Sequence, residues 1–161
     1  MEEQALLAFL QANHIPYQRF EHPPVYTVEQ AQFHLQGAPG AGTKNLLLMD
    51  KRDRRAIFVM VSEEKRVDLK ALGAHLGTNG LHFASAARLW DYLKVEPGAV
   101  TSLALINDTD CRVELYIDRE LWQKDAVQCH PLVNTATLVI RREDLARFFD
   151  LIHHPYQLIE I

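Results

Sequence analysis

The glycine-rich residues 37–44 form the first segment whose residue types and spacing could do chemistry. They spell G-A-P-G-A-G-T-K, which differs from the nucleotide-binding pattern G-x-x-x-x-G-K-[ST] in the order of the last two positions. That motif needs a strand before it and a helix after it, so that the helix N-terminus faces the phosphates. Here the sequence predicts a helix before the glycines and a strand after Lys44, which disfavours an ATP or GTP site. We expect a loop that presents Thr43, Lys44 and Asn45.

Lys44 and Asn45 stand directly before the apolar residues 46–49. A side chain at the start of such a strand can be held rigidly at the mouth of a cavity. An ordinary surface lysine at the start of a strand explains the same pattern equally well. Spacing alone leaves both interpretations open.

Three histidines, His22, His130 and His154, are each followed by proline. The proline pushes the preceding residue towards extended geometry, and histidine can act as an acid, a base or a metal ligand. No H-x-x-x-H or C-x-x-C spacing is present, so the sequence predicts no metal site.

The pair Cys129-His130 could suggest a cysteine nucleophile. Adjacent residues on a strand point to opposite faces, however, so these two make a poor catalytic pair. We expect Cys129 to be a core residue.

Asp108 and Asp110 are expected to be solvated turn residues.

Composition restricts the class of protein. The chain has 161 residues, 48% hydrophobic content and a net charge of −4, which predicts one domain spanning residues 1–161. No apolar run reaches the ~20 residues of a membrane span, and the cysteines lack disulfide or metal spacing, so we expect a reduced, cytoplasmic protein. The acidic balance disfavours DNA binding.

The apolar periodicity predicts five helices and seven strands. The helices are expected at residues 3–13, 27–35, 67–77, 85–93 and 142–152, and the strands at 15–22, 45–50, 56–62, 101–107, 112–118, 134–140 and 156–161. Because the strands outnumber the helices and mostly follow one another, we predict an α+β domain: a curved mixed sheet flanked by helices.

Several segments resemble one family in sequence order. They include EHPPVYTVEQA, GTKNLLLMDKR, KRVDLKALGAHLG and CHPLVNTATLVI. The chain is similar, from about residue 14 to its C-terminus, to the freestanding deacylases that hydrolyse mischarged alanyl-tRNA(Pro). These are related to the editing domain of bacterial prolyl-tRNA synthetases.

This resemblance implies a compact mixed sheet with a pocket for the 3′ end of an aminoacyl-tRNA. Lys44 and Asn45 match the family's functional lysine and the asparagine after it, and we expect both to be catalytic. The residues expected to contact the substrate are His22, Thr43, Ala104, His130, Pro131 and Asn134. The family usually has proline where Ser102 stands and glycine where Ala104 stands, which affects the expected amino-acid preference.

The function implied by the resemblance is trans-editing hydrolysis of mischarged aminoacyl-tRNA(Pro), with alanyl-tRNA(Pro) as the expected substrate. Water attacks an ester that the protein positions, and neither cofactor nor metal is expected. The expected partners are the tRNA 3′ end and acceptor stem, with prolyl-tRNA synthetase as a further candidate and neither DNA nor membrane. The alternative is a noncatalytic tRNA-binding or synthetase-associated module with the same fold.

Overall fold

The computed structural model describes residues 1–161. Five α-helices occur: α1 Glu3–Ala12, α2 Val28–His34, α3 Leu69–His75, α4 Ala86–Leu93 and α5 Arg142–Leu151. Eight strands occur: β1 Gln18–Glu21, β2 Thr43–Met49, β3 Ala56–Ser62, β4 His82–Phe83, β5 Val113–Asp118, β6 Ala126–Cys129, β7 Ala136–Arg141 and β8 Tyr156–Ile159. Two 3₁₀ helices span Ser102–Asn107 and Leu121–Gln123. None of the helices combines the length and apolar character that crossing a bilayer requires.

The larger sheet has five strands in the order β4-β2-β3-β5-β8. The β2–β3 hairpin is antiparallel, whereas β3, β5 and β8 are parallel to one another. The predicted mixed sheet and α+β class are therefore confirmed.

A second sheet, of three antiparallel strands in the order β1-β7-β6, lies beside the first. The two sheets meet where Ala41 forms a parallel bridge with Val127. The Thr43 hydroxyl donates to the Gln128 carbonyl at 2.6 Å, which ties the first residue of β2 to β6. This junction carries the candidate site described below.

Side-chain caps fix the starts of three helices. The Thr27 hydroxyl accepts from Gln30 N at 3.1 Å, and the Gln30 amide oxygen accepts from Tyr26 N at 2.8 Å, so the turn before α2 is closed from both sides. Asp68 and Ser85 cap α3 and α4 in the same way. Such capping supplies the hydrogen bonds that the first helical turn cannot make internally.

Two apolar clusters lie on opposite faces of the β2–β3 hairpin. The larger cluster has 29 buried residues and includes Leu6, Leu47 and Phe148, so helices α1 and α5 share one core with the sheets. The smaller has seven, including Leu48 and Leu72, and lies under α3. The alternation of Leu47 and Leu48 between the clusters follows from the two-residue period of a strand.

The strand predicted over residues 101–107 is wrong, because this segment is a 3₁₀ helix capped by the Thr101 hydroxyl. Leu103, Ala104 and Leu105 are all buried in the larger cluster. A short, fully buried apolar run lacks the periodicity that separates strand from helix, which accounts for the error.

The prediction that Asp108 is a solvated turn residue is also wrong. Its side chain is buried and accepts hydrogen bonds from Arg112 N, Val113 N and His154 Nε2. Burial alone raises the pKa of Asp108, but the hydrogen bonds from His154 and the two backbone N–H groups outweigh it and hold the pKa below its ordinary value. The His154-Pro155 pair is therefore part of a structural cluster. Asp110 is exposed, as predicted.

Candidate functional site

A cleft of about 210 Å³ lies at the junction of the two sheets. It is bounded by the turn before α2, the start of β2, the end of β3 and the segment that follows β6. Its lining residues are Val25, Tyr26, Thr27, Val28, Ala31, Thr43, Lys44, Asn45, Glu63, Gly98, Val100 and His130. The structure thus brings Thr43, Lys44 and Asn45 together with His130, which lies 87 positions after Thr43 in the chain.

The Lys44 ammonium donates a hydrogen bond to the backbone carbonyl of Lys65. Lys65 is itself fixed, since its own ammonium lies 2.7 Å from Asp118 and 3.0 Å from Glu120. The hydrogen bonds that Lys65 donates to Asp118 and, to a smaller extent, to Glu120 raise the pKa of Lys65. An ammonium has three donors, so Lys44 retains two for a ligand in the cleft.

Asn45 leaves β2 on the side opposite Lys44, because consecutive strand residues alternate faces. Both nevertheless line the cleft, which lies at the start of that strand. Asn45 Nδ2 is 3.3 Å from Thr43 Oγ1, whose own hydrogen is used on Gln128 O. Thr43 therefore orients the Asn45 amide and anchors β2 to β6.

His130 presents a neutral imidazole to the cleft. Its Nδ1 lies 3.2 Å from the Ala136 carbonyl, an acceptor only, so Nδ1 carries the proton. The other nitrogen, Nε2, has a free lone pair and no protein partner. Burial, with a smaller contribution from His22, lowers the pKa of His130 despite the Ala136 hydrogen bond, so the ring stays uncharged at neutral pH.

A narrower pocket of about 30 Å³ adjoins the cleft. It shares Ala31, Thr43, Asn45, Glu63 and His130 with the cleft and is completed by Leu35, Gln128, Cys129 and Thr137. A water molecule needs at least ~10–15 Å³ of such space. The pocket therefore has room for a small group such as a methyl.

The remaining predicted substrate contacts do not line the cleft. His22 stands behind it, with its ring centroid 6.4 Å from that of His130 and its Nε2 2.9 Å from Thr137 Oγ1. Pro131 is buried, and Asn134 donates to Val25 O at 3.2 Å and borders a neighbouring cavity. Ala104 is fully buried in the larger core cluster, which moves it from the expected pocket wall to the core.

Cys129 is a buried core residue, as predicted. Burial raises the pKa of its thiol to about 12, with a small opposing effect from Ser102, so the reactive thiolate is not formed at neutral pH. No three His, Cys, Asp or Glu side chains are grouped so that they could hold a metal ion.

Glu63 and Tyr26 are among the cleft residues that the sequence interpretation did not predict as part of a site. Glu63 follows β3 directly, and its N–H bonds to Gly42 O at 3.0 Å, so the register of the predicted hairpin could have placed it beside the glycine loop. Tyr26 precedes the Thr27 cap and is 72% exposed. An aromatic residue before a helix cap carries no signal that distinguishes a site from a surface.

The comparison with known families agrees with this arrangement. Residues 22–148 match the model of the aminoacyl-tRNA editing domain, a range that contains every residue lining the cleft. The chain belongs to the aminoacyl-tRNA editing domain family.

Relatives of this editing domain are similar over most of their length. The prolyl-tRNA editing protein ProX of Acetoanaerobium sticklandii is 34% identical over 160 residues, covering 99% of this chain and 97% of the relative. The prolyl-tRNA synthetase associated domain-containing protein 1 of Danio rerio is 38% identical over 148 residues, covering 91% and 80%. A crystal structure of a candidate trans-editing enzyme for prolyl-tRNA synthetase superposes with a TM-score of 0.67 at 17% identity, covering 98% and 94% of the two chains. At 17% identity, the similarity to this crystal structure shows a shared fold.

Proposed function

We propose that this protein is a trans-editing hydrolase that removes alanine from mischarged alanyl-tRNA(Pro). Family membership and the relative named a prolyl-tRNA editing protein support the reaction class and the tRNA. The observation that carries the proposal is the convergence of Lys44, Asn45 and His130 on one cleft with a methyl-sized side pocket.

The side pocket supports alanine as the amino acid. Its volume of about 30 Å³ suits the single methyl of alanine. The three ring methylenes of proline form a bulkier group than this small pocket suits, and inserting extra methylenes into a packed site typically costs ~1–3 kcal/mol or more. Correctly charged prolyl-tRNA(Pro) is therefore not hydrolysed, because the proline ring does not fit the pocket.

The polar groups support hydrolysis by a positioned water. An aminoacyl ester needs stabilisation of the oxyanion that develops on its carbonyl oxygen. The two free donors of Lys44 supply positive charge and hydrogen bonds there, and the Asn45 amide lines the same cleft beside the ester. The neutral Nε2 of His130 accepts a hydrogen bond from the free hydroxyl of the terminal ribose, and that hydroxyl orients the attacking water. No covalent intermediate is required.

A second cavity, of about 440 Å³, supports binding of the tRNA 3′ end. Tyr26 borders both cavities, and Trp90 and Lys94 border the second. Tyr26 and Trp90 are 72% and 55% exposed. Exposed aromatic rings stack on single-stranded bases and lysine neutralises phosphate, so the last unpaired nucleotides run from the cleft across Tyr26 towards α4.

The selectivity of the reaction tests this proposal. Purified protein is incubated with tRNA(Pro) carrying labelled alanine, serine, cysteine or proline, and release of each amino acid is followed against a buffer blank. Alanine should be released fastest and proline at the blank rate. Release of proline as fast as alanine would contradict the size argument, and no release from any ester would favour the noncatalytic tRNA-binding module.

A further inference from the structure

Asn45 Oδ1 is the one buried side-chain nitrogen or oxygen in the protein that has no hydrogen-bond partner. The amide orientation is fixed by its neighbour: Thr43 gives its hydroxyl hydrogen to Gln128 O, so it can only accept from Asn45 Nδ2. The unpaired atom is therefore the oxygen, an acceptor. Buried polar groups are normally hydrogen-bonded, so this oxygen is a candidate acceptor for a donor group of a ligand.

The Glu63 carboxylate is a second polar group that lines the same pocket. Glu63 is half-buried and lines both the cleft and the methyl-sized pocket, as Asn45 does. Gln32 Nε2 donates to it at 3.1 Å, but none of the protein's ion pairs includes it.

Gly42 makes room for this carboxylate. A Cβ at position 42 would lie 2.1 Å from the Glu63 carboxyl group, so only glycine allows the carboxylate to rest against the strand start in this orientation. The glycine loop and Gln32 thus hold a negative charge at the entrance of the pocket.

We infer that Asn45 Oδ1 and Glu63 together bind the α-ammonium group of the aminoacyl ester. An ammonium offers three donors and one positive charge, which matches a neutral acceptor and a carboxylate that line the same narrow pocket. With the methyl in the narrow pocket and the carbonyl oxygen facing Lys44, this contact fixes the third substituent of the α-carbon. Glu63 is a positioning residue that holds the ester in place; this inference rests on the function proposed above.

The protein should therefore discriminate against esters that lack the ammonium. The test compares alanyl-tRNA(Pro) with lactyl-tRNA(Pro), in which a hydroxyl replaces the ammonium on the same carbon skeleton. Each catalysed rate is divided by the spontaneous rate of that ester in buffer, because the two esters differ in intrinsic lability. Glu63→Gln removes the charge at constant size, and Glu64→Gln, at the exposed neighbouring position, is the matched control.

The wild type should accelerate alanyl-ester hydrolysis ten- to a hundredfold more than lactyl-ester hydrolysis, the range for hydrogen bonds to a charged group. Glu63→Gln should lower the alanyl acceleration by at least about tenfold and leave the lactyl acceleration within twofold. Glu64→Gln should behave as the wild type.

Equal acceleration of both esters by the wild type would overturn the inference while leaving the proposed function standing. A Glu63→Gln variant that loses both activities in parallel would show a merely structural role and would overturn it too. If the wild type hydrolyses neither ester, the proposed function itself fails and the inference falls with it.

Discussion

Lys44→Met tests the electrostatic role of Lys44 while keeping a side chain of similar length. The ammonium that donates to the Lys65 carbonyl is lost, together with the two donors available to the substrate. Removing one donor to a developing oxyanion typically lowers kcat by ~10²–10³, which corresponds to ~2.7–4 kcal/mol. We expect that loss in single-turnover hydrolysis of alanyl-tRNA(Pro) at saturating protein.

Stability should change much less than activity in this variant. A hydrogen bond to a charged group contributes ~1.5–3 kcal/mol to folding, and Lys44 is half-buried, so the loss should lie at or below the lower end of this range. For a domain of this size each kcal/mol shifts Tm by ~2–4 °C. A protein with a stability of ~5 kcal/mol or more would stay almost fully folded at 25 °C, so unfolding cannot account for a hundredfold loss.

The matched control is Lys70→Met, since Lys70 is exposed on α3. It should retain wild-type rate and Tm. The role assigned to Lys44 would be refuted if Lys44→Met kept its rate within about threefold of wild type. It would also be refuted if its activity fell only in proportion to the unfolded fraction measured by circular dichroism.

Three further predictions concern Tyr26, Ala104 and Asp108. Tyr26→Ala should raise KM for alanyl-tRNA(Pro) by roughly 5- to 150-fold with a smaller change in kcat, because base stacking contributes ~1–3 kcal/mol; an unchanged KM would remove Tyr26 from the 3′-end site. Ala104→Gly should leave the ratio of seryl- to alanyl-tRNA(Pro) hydrolysis unchanged. It should lower the free energy of unfolding in urea by ~1–2 kcal/mol, because a buried methyl is lost and the backbone gains freedom. A changed ratio would show that Ala104 lines the pocket. Asp108→Asn should lose ~1–3 kcal/mol at pH 7, because a buried donor is left unpaired. The folded-state pKa of Asp108 is lowered, so its contribution to the free energy of unfolding is present above the ordinary pKa of ~3.9 and is lost as pH falls through the folded value. The difference in unfolding free energy between variant and wild type should therefore narrow by pH 3. A difference that does not depend on pH would contradict the assigned charge.

Local sequence signals predicted most of the secondary structure, because they act over a few residues. The Thr27 and Ser85 caps and the polar turn between β2 and β3 are encoded within one turn of chain. The alternation of apolar residues likewise located β5 and β7.

Features that depend on distant contacts were not predictable in this way. Residues 102–105 are all buried, so their pattern carries no period. Asp108 has the sequence context of a turn residue, and the sequence gives no sign of its buried partner His154, 46 residues away. Strand β6 is short, and it is held in place by β7 and by the bridge to Ala41.

The candidate site was predictable only where its residues are adjacent in sequence or belong to a motif of the family. Thr43, Lys44 and Asn45 are adjacent in sequence, and the family resemblance joined them to His130. Glu63 lines the cleft because of the register of the β2–β3 hairpin. Ala104 lies in the core because its segment is a 3₁₀ helix, which the sequence pattern did not predict.

Turnover of alanyl-tRNA(Pro) is the most direct test of the central claim, since it separates an enzyme from a tRNA-binding module. Protein is mixed with a hundredfold excess of labelled alanyl-tRNA(Pro), and free alanine is counted over time with Lys44→Met in parallel. We predict that the wild type releases many equivalents of alanine per protein molecule and that the variant stays near the buffer rate. Protection of the ester by the wild type, with release slower than in buffer, would contradict the account and identify a binding module.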